Sequence, residues 1–369
     1  MNKYLLVAIG FILIGLGSYI FERNKDVIPQ ATTSPTSEIK DIEVIAEGLE
    51  IPWDIAFLEN GEFLVTERPG QIVKFTSDGS KIIVPYESQV QASGEGGLLG
   101  LVLHPDFLLN RRVYLYLSVK SANNETINRV ESYLFENDKL VSKQLIIDNI
   151  PGAIYHDGGR MEFGPDRLLY ITTGDATKSE IAQDKESLGG KILRLNDDGT
   201  QADGNPFGTA VYSFGHRNPQ GLAWDREGRL WETEHGRSGV MTGMDEINLI
   251  SSGLNYGWPL IEGSEKKEGL VGPVRHSGSK DTWAPASLAY LDGSLYFGGL
   301  KGEALYEAVL NGEKIVDLKE HLVGQYGRIR TVRVGPDGFL YITTSNRDGR
   351  GEVRAGDDKI IRVDTSLLN

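Results

Sequence analysis

Short apolar runs separated by polar turns recur along most of the chain. Six times, a turn rich in Gly, Asp, Asn or Pro leads into a run of β-branched, leucine and aromatic residues, at positions 63–66, 113–116, 168–171, 230–233, 295–297 and 339–342. Most of these runs are followed by a segment in which apolar and polar residues alternate, most clearly at 71–75, 191–195, 246–249 and 359–363. A period of two indicates strands with one buried and one exposed face.

The spacing of these runs predicts a repeat architecture. Their starts are about 55 residues apart on average, and long helical periods are missing. A fixed period near fifty residues with several strands per unit is typical of a β-propeller. We therefore predict an all-β, six-bladed β-propeller that forms one domain over residues 41–369, in which the alternating segment 42–45 closes the ring by pairing with the last blade. A large β-sandwich, or two separate β domains, is the alternative.

The first forty residues follow a different pattern. Residues 4–21 form an apolar, uncharged run of 18 residues, preceded by Lys3 and followed by charged residues from Glu22 onward. This length is near the lower limit for a membrane-spanning helix and exceeds the usual core of a signal peptide. We expect residues 1–24 to be a transmembrane anchor or a cleaved signal peptide, and the Thr-, Ser- and Pro-rich residues 25–40 to be a flexible linker. In either case the domain is expected outside the cytoplasm, anchored to the membrane or secreted.

Composition narrows the classes of function. The chain has 38 Lys and Arg against 52 Asp and Glu, a net charge of −14, which argues against a nucleic-acid partner because such binding depends on clustered cations. Cysteine is absent, so disulfide scaffolds, thiolate zinc sites and thiol nucleophiles are excluded. Glycine is abundant, with 45 residues, which agrees with many tight turns between short strands.

Four segments concentrate polar and charged residues without alternation, as expected for loops that converge near a propeller axis. They are the glycine-rich segment 93–100, which contains Glu95; 155–160 with the strand that ends at 174–175; 214–221; and 234–237, which leads to 245–248 and 255–259. Taken singly, each has an ordinary structural explanation, such as a turn histidine, an arginine that caps a loop or a hairpin turn.

Taken together and in order, these segments resemble a known family. The sequences GEGGLLG at 94–100, HDGGR at 156–160, GHRNPQG at 215–221, DEINLI at 245–250 and NYGWP at 255–259 are similar to those of the soluble pyrroloquinoline quinone (PQQ)-dependent sugar dehydrogenases. This is the glucose/sorbosone dehydrogenase family, and the resemblance is to its aldose sugar dehydrogenase branch. It covers about residues 47–363 and implies a six-bladed propeller with PQQ in a cleft near the axis, calcium as a second cofactor, and an aldose sugar and an electron acceptor as partners.

The resemblance implies a set of cofactor-binding residues, which are Glu95, Arg217, Asn218, His235, Lys301, Arg328 and Arg330. PQQ is a flat tricarboxylate, and the planar fork of arginine suits a carboxylate best. Arg328 and Arg330 occupy alternate positions, so we expect them to share one strand face. For Lys301 an ordinary surface lysine is the alternative.

The resemblance also implies the reaction, which is oxidation of an anomeric hydroxyl to a lactone with hydride transfer to PQQ. His156 matches the catalytic base of the family, since an imidazole titrates near neutral pH. Asp175 matches the carboxylate that orients this imidazole and stabilises its charged form.

Two calcium positions follow from the same resemblance. One calcium, bound to the quinone oxygens, would polarise the reacting carbonyl, and its protein ligands would be the backbone carbonyls of Gly236 and Arg237. Glu246 and Tyr256 fall where a separate structural calcium is held. We further expect segments 110–112, 120–124 and 262–279 to line the substrate.

The chain departs from the family pattern at two places near the cofactor. Glu95 stands where the family commonly has a glutamine, and a carboxylate there should weaken PQQ binding unless it is protonated or paired with an arginine. Arg237 replaces a proline, and residues 238–243 lengthen its loop. Two other classes remain open at this point: a calcium-dependent propeller lactonase, and a non-catalytic propeller that binds a protein or glycan.

Overall fold

The structure, a computed structural model, describes residues 42–237 and 243–368. In these two ranges the strands form six four-stranded antiparallel sheets. Helical structure in them is limited to α1 (Phe107–Asn110) and to three short 3₁₀ segments, at Glu59–Gly61, Ser179–Gln183 and Thr365–Leu367. None of these helices is long and apolar enough to cross a membrane. The predicted anchor or signal segment and the linker lie outside the described residues.

The strands follow one another through the blades in chain order, except that β1 (Ile42–Ala46) belongs to the last blade. Blade 1 contains β2 (Pro52–Phe57), β3 (Phe63–Glu67), β4 (Gln71–Phe75) and β5 (Lys81–Ile83). Blade 2 contains β6 (Leu98–Leu103), β7 (Arg112–Lys120), β8 (Thr126–Glu136) and β9 (Lys139–Pro151). Blade 3 contains β10 (Met161–Phe163), β11 (Leu169–Thr173), β12 (Lys191–Leu195) and β13 (Val211–Phe214).

The other three blades repeat this order. Blade 4 contains β14 (Pro219–Trp224), β15 (Leu230–Glu234), β16 (Glu246–Ile250) and β17 (Arg275–His276). Blade 5 contains β18 (Pro285–Leu291), β19 (Ser294–Gly299), β20 (Leu305–Asn311) and β21 (Lys314–His321). Blade 6 contains β22 (Ile329–Val334), β23 (Leu340–Thr344) and β24 (Ile360–Val363), with β1 as its outer strand.

The first strands of the blades, β2, β6, β10, β14, β18 and β22, contact one another around a closed ring. The six apolar runs seen in the sequence correspond to the second strands, such as β3 and β11, which are buried on both faces because they lie between neighbouring blades. The alternating segments correspond to third strands, including β4, β12, β16 and β24. The architecture is therefore the predicted six-bladed β-propeller, and the β-sandwich alternative is wrong.

The ring closes through pairing of the two ends of the domain. Strand β1 pairs antiparallel with β24, with Ile42 opposite Val363 and Val44 opposite Ile361. The prediction that segment 42–45 closes the ring is confirmed. This pairing covers the edge of β24, which would otherwise present unpaired amide and carbonyl groups.

Antiparallel pairing also decides where loops from different blades can meet. The residues that precede a first strand and the residues that follow a second strand lie at the same end of each blade. Loops of both kinds carry the polar segments 93–100, 155–160, 214–221 and 234–237, so these segments come together at one end of the propeller. Residues 255–259, which follow the third strand of blade 4, reach the same end, where Trp258 contacts Asp175. The loop that joins a first strand to a second strand lies at the opposite end.

Candidate active site

One end of the propeller contains a cavity of about 500 Å³. Sequence-predicted residues from five blades line it, namely Glu95, His156, Arg217, Asn218, His235, Gly236, Arg237, Lys301 and Arg328. Each of them lies just before a first strand or just after a second strand. The structure therefore brings most of the predicted site into one hollow.

His156, which lines this cavity, forms a histidine–carboxylate pair with Asp175. The Nδ1 of His156 lies 2.7 Å from Oδ1 of Asp175. The carboxylate is itself held by the indole N–H of Trp258, which donates to Oδ2 over 2.8 Å, and by the amide of Thr177, which donates to Oδ1 over 2.8 Å. Nε2 of His156 has no hydrogen-bond partner within the described ranges, so this nitrogen is available to a bound molecule.

A glycine makes the close approach of these two segments feasible. His156 has a left-handed backbone conformation, with φ of 65°, and its carbonyl lies next to Gly174, the residue before Asp175. A Cβ atom at Gly174 would lie 1.9 Å from that carbonyl oxygen. Any larger residue at this position would push the His156 loop away from the end of β11.

Arg217 and Asn218 are buried and held by several contacts. The amide of Arg217 donates to Oε2 of Glu234 over 2.6 Å, and its Nη1 donates to the carbonyl of His235 over 3.2 Å. Burial lowers the pKa of Arg217, and neighbouring carboxylates oppose this shift, Asp175 most strongly. Arginine keeps its charge under such a shift. Asn218 accepts a hydrogen bond from the amide of Gly158 over 3.1 Å, which links the loops of blades 3 and 4.

The second arginine pair converges on a carboxylate that we did not identify from the sequence. Nε and Nη2 of Arg328 donate to Oδ2 of Asp348 over 3.0 and 2.8 Å. Arg330 lies 3.9 Å from the same carboxylate and also donates to Ser345 and Gln220. Burial lowers the pKa of Arg330 to about 9. Arg328 lines the cavity whereas Arg330 does not, so direct contact of Arg330 with a cofactor stays a prediction.

Arg350 is a further cavity residue that sequence reasoning missed. Its Nη1 donates to Oε1 of Glu95 over 2.8 Å, and its guanidinium lies 5.3 Å from the centre of the Tyr155 ring. Oε2 of Glu95 accepts the amide of His156 over 3.0 Å. Its position in the sequence could have indicated this role. Arg350 lies in the polar loop after the second strand of blade 6, and the equivalent loop of blade 4 contains His235.

These contacts show how the negative charge of Glu95, which we expected from the sequence to weaken PQQ binding, is compensated. Burial by itself would raise its pKa, but a cationic His235, the amide of His156 and the guanidinium of Arg350 outweigh burial and lower it well below the usual range. Since His235 is neutral near pH 7, Arg350 and the amide remain as the stabilising partners at that pH. Glu95 is therefore ionised and paired with an arginine, one of the two arrangements considered from the sequence.

His235 and Asp245 shape the wall formed by blade 4. His235 is half-buried, and desolvation at this position lowers its pKa to about 4. Its Nε2 is shielded from solvent and has no hydrogen-bond partner in the part of the chain that the structure describes. Oδ1 of Asp245 accepts the amide of Gly236 over 2.9 Å. Its Oδ2 accepts the hydroxyl of Thr282 over 2.8 Å and the amide of Ala284 over 3.0 Å. Asp245 thus fixes the backbone at Gly236 against the loop that leads into β18.

Glu246 and Tyr256 lie together in a small second cavity that adjoins the first and shares Gly236 and Arg237 with it. The hydroxyl of Tyr256 donates to the carbonyl of Leu249 over 2.7 Å, which leaves its backbone carbonyl as the group available to a cation. Calcium at this position stays a prediction.

The remaining sequence expectations have different outcomes. Lys301 is exposed at the cavity and its side chain has no hydrogen bond or ion pair with any described residue, so its role toward a cofactor also stays a prediction. The expectation that segment 110–112 lines the substrate is wrong, because the β6–β7 connection lies at the opposite end of the propeller. Of segment 262–279, Glu262 lies in the second cavity, where it pairs with Arg237 over 2.6 Å.

Comparison with known proteins identifies the family. The model of the glucose/sorbosone dehydrogenase family matches residues 49–354. The aldose sugar dehydrogenase of Escherichia coli K12 is 32% identical over 342 residues, which cover 84% of this chain and 91% of that protein.

Two solved structures have the same fold. An oxidoreductase described as a glucose dehydrogenase, from Thermus thermophilus, is 45% identical with a TM-score of 0.82, over 87% of this chain and 98% of that one. The PQQ-bound aldose sugar dehydrogenase of Streptomyces coelicolor is 41% identical with a TM-score of 0.81, over 87% of this chain and 97% of that one. The match along most of the chain, together with the cavity described above, assigns this protein to the glucose/sorbosone dehydrogenase family.

Proposed function

We propose that this protein is a PQQ-dependent dehydrogenase that oxidises the anomeric hydroxyl of an aldose sugar to a lactone. The observation that carries the proposal is His156, held by Asp175, on the wall of a cavity that also presents Arg217, Arg328 and Lys301. A lactonase or a simple binding propeller has no need for this set of cations. The PQQ-bound state of the Streptomyces relative supports the choice of cofactor.

The residues present fit PQQ. The cavity volume of about 500 Å³ lies in the range of small-molecule sites. Arg217, Arg328 and Lys301 would hold the carboxylates of the cofactor, since fixed guanidinium and ammonium groups suit such anions. The buried, unpartnered Nε2 of His235 would gain a polar partner from a bound molecule. When bound, PQQ supplies the quinone that accepts the hydride from the anomeric carbon.

His156 would act as the general base. Its Nδ1 is paired with Asp175, so Nε2 is the atom that takes the proton of the anomeric hydroxyl. Asp175 keeps the ring in one tautomer and stabilises the imidazolium that forms. Trp258 and Thr177 hold the carboxylate in place.

Calcium would be held by the backbone carbonyls of Gly236 and Arg237, in keeping with its preference for oxygen ligands. Asp245 fixes this part of the backbone through the amide of Gly236. We also propose that residues 1–24 carry the domain out of the cytoplasm, as an anchor or a cleaved signal.

Reconstitution tests the function. The purified chain is incubated with PQQ and calcium, and reduction of an artificial dye is followed with a panel of mono- and disaccharides. We expect aldose-dependent dye reduction that requires both PQQ and calcium, with a lactone as product. Absence of dye reduction with every aldose, under conditions in which PQQ binds, would exclude the proposed reaction.

His156→Ala tests the base. A general base contributes about 10²–10⁴-fold to rate, so we expect kcat to fall by about 10³-fold while the dissociation constant of PQQ changes little. His104→Ala serves as the matched control, because His104 lies in the β6–β7 connection at the opposite end of the propeller. Full turnover in the His156 variant would remove the base assignment.

A further inference from the structure

Blade 4 contains a buried acidic cluster that the proposed mechanism does not use. Glu232 and Glu234 occupy alternate positions of β15, opposite Asn248 and Glu246 of β16. All four side chains are buried, and Glu232 is fully so. Thr233, which lies between the two glutamates, donates to a carbonyl of blade 5, so the glutamates point to the other face, toward blade 3.

His216 completes this cluster from the loop before β14. It is fully buried, and its Nδ1 lies 3.2 Å from Oε1 of Glu234. Its Nε2 lies 2.8 Å from the hydroxyl of Ser213, and its ring stacks on Tyr256 with 4.9 Å between ring centres. One ligand atom from each of His216, Glu232 and Glu234 can be chosen so that all three lie within 4.8 Å of one another.

The hydrogen bonds in the cluster do not satisfy its polar atoms. The single amide group of Asn248 is shared by Glu232, Glu234 and Glu246, at 3.0, 3.2 and 3.4 Å. Oε1 of Glu232 and Oδ1 of Asn248 are buried and have no partner in the described ranges. An unpaired oxygen of a buried carboxylate carries a large desolvation cost.

The charges of the cluster are not balanced by side chains either. Within the described residues, the only ion pair formed by Glu232, Glu234 or Glu246 is the contact between Glu234 and His216. Burial, together with the neighbouring Glu234, raises the pKa of Glu232. Either bound protons or a bound cation must therefore compensate these carboxylates, and the open oxygen of Glu232 favours a cation.

We propose that His216, Glu232 and Glu234 bind a divalent transition-metal ion of the Zn²⁺ and Mn²⁺ class inside blade 4. An imidazole nitrogen combined with carboxylate oxygens suits such ions, whereas calcium prefers oxygen ligands alone. The contact of Nε2 with Ser213 would hold the ring so that Nδ1 faces the metal. This site differs from both predicted calcium positions, since its ligands include neither the carbonyls of Gly236 and Arg237 nor Glu246 and Tyr256. The predicted position at Glu246 and Tyr256 adjoins it, because Glu234 and Glu246 lie opposite each other on β15 and β16.

The site would have a structural consequence for the cavity. Glu234 accepts the amide of Arg217 through Oε2 while its Oε1 faces His216. A metal on Oε1 would therefore fix the loop that presents Arg217 and Asn218. The inference does not depend on the proposed reaction, because its test measures metal binding.

The test uses the full chain, freed of metals with a chelator and returned to buffer with saturating calcium. Zn²⁺ and Mn²⁺ are added separately, and bound metal is measured by equilibrium dialysis together with the midpoint of thermal unfolding. We expect one equivalent of Zn²⁺ or Mn²⁺ that calcium does not displace, and a rise in the midpoint. Co²⁺ used as a probe should give visible absorption bands of a site with nitrogen and oxygen ligands.

Variants assign the metal to this cluster. Glu232→Gln should lose the equivalent of bound metal, and Glu232→Asp should keep it with at least tenfold weaker affinity. Glu313→Gln is the control, because Glu313 is exposed in blade 5, and it should bind the metal as the unmodified chain does. The proposal is overturned if the unmodified chain binds no Zn²⁺ or Mn²⁺ in saturating calcium, or if Glu232→Gln keeps the full equivalent. If the metals have no effect on the unmodified chain, and Glu232→Gln unfolds at a higher temperature than the unmodified chain in chelator, then Glu232 is a protonated carboxyl and not a metal ligand.

Discussion

At the scale of single residues, the site depends on how Glu95 is compensated. Its half-buried carboxylate lies in the wall of a cavity proposed to hold a tricarboxylate, where a second anion is unfavourable. Arg350 binds one oxygen and the amide of His156 the other. Glu95 therefore serves to fix the His156 backbone, and Arg350 removes the electrostatic cost of having a carboxylate there.

Arg350→Gln should weaken PQQ binding by about tenfold, since it leaves the half-buried carboxylate of Glu95 without its cationic partner beside the proposed cofactor position. Glu95→Gln should bind PQQ at least as tightly as the unmodified chain, because it removes a negative charge. The dissociation constants are measured by tryptophan fluorescence titration in saturating calcium.

The double variant Glu95→Gln/Arg350→Gln provides the control. We expect its affinity to return toward that of Glu95→Gln, because the unpaired charge is absent. If Arg350→Gln weakens PQQ binding equally in the unmodified chain and in the Glu95→Gln variant, then Arg350 contacts the cofactor independently of the ion pair.

At the scale of secondary-structure elements, His156, the proposed base, is positioned by the packing of a loop against a strand end. The loop before β10 carries His156, and the end of β11 carries Asp175. Gly174 lets their backbones approach, and the amide of Asp175 donates to the carbonyl of Arg217 over 2.8 Å. Blades 3 and 4 thus jointly fix the carboxylate that orients His156.

Gly174→Ala should disturb this arrangement because its methyl group would collide with backbone, which has no rotamer to relieve the contact. We expect a loss of about 2–3 kcal/mol in the free energy of unfolding and a fall in kcat larger than the change in PQQ affinity. Urea unfolding and steady-state kinetics measure the two effects.

Gly272→Ala is the matched control for this variant. Its nearest neighbours would lie 3.7 Å from the new methyl group, and its backbone is not in the left-handed region. It should retain activity and stability. Normal activity of Gly174→Ala would contradict the role given to the close approach.

At the scale of the whole molecule, the ring depends on a strand from the beginning of the domain. Strand β1 completes blade 6 by pairing with β24, and Ala46 packs in a core cluster together with Ile360. The six blades therefore form a closed ring only when residues separated by most of the chain are brought together.

A chain that begins at residue 47 should lose this closure. The edge of β24 would be unpaired and apolar surface would be exposed, so we expect the unfolding midpoint to fall by roughly 10 °C or more and aggregation to increase. A chain that begins at residue 41 keeps β1 and serves as control. Equal midpoints for the two chains, measured by differential scanning calorimetry, would show that the pairing contributes little to stability.

The fold was accessible from the sequence because its signals are local. Alternation in segments such as 71–75 and 191–195 reflects one strand at a time, and the repeat spacing reflects the size of one blade. The pairing of segment 42–45 with the last blade followed from the same logic, because a ring of blades needs a partner for its final edge.

The amino-acid sequence by itself determined the blade number, the closing strand and the polar loops. Through family resemblance it also indicated His156, Asp175 and the arginines at 217 and 328 as candidate site residues. Only the tertiary structure decided which carboxylate forms an ion pair with each cationic side chain. Glu95 and Arg350 are 255 positions apart, and Asp348 joins two arginines whose shared partner no local pattern indicates. The physical reason is that strand patterns arise from neighbouring residues, whereas contacts in the cavity depend on where six separately specified blades place their loops once the ring has closed.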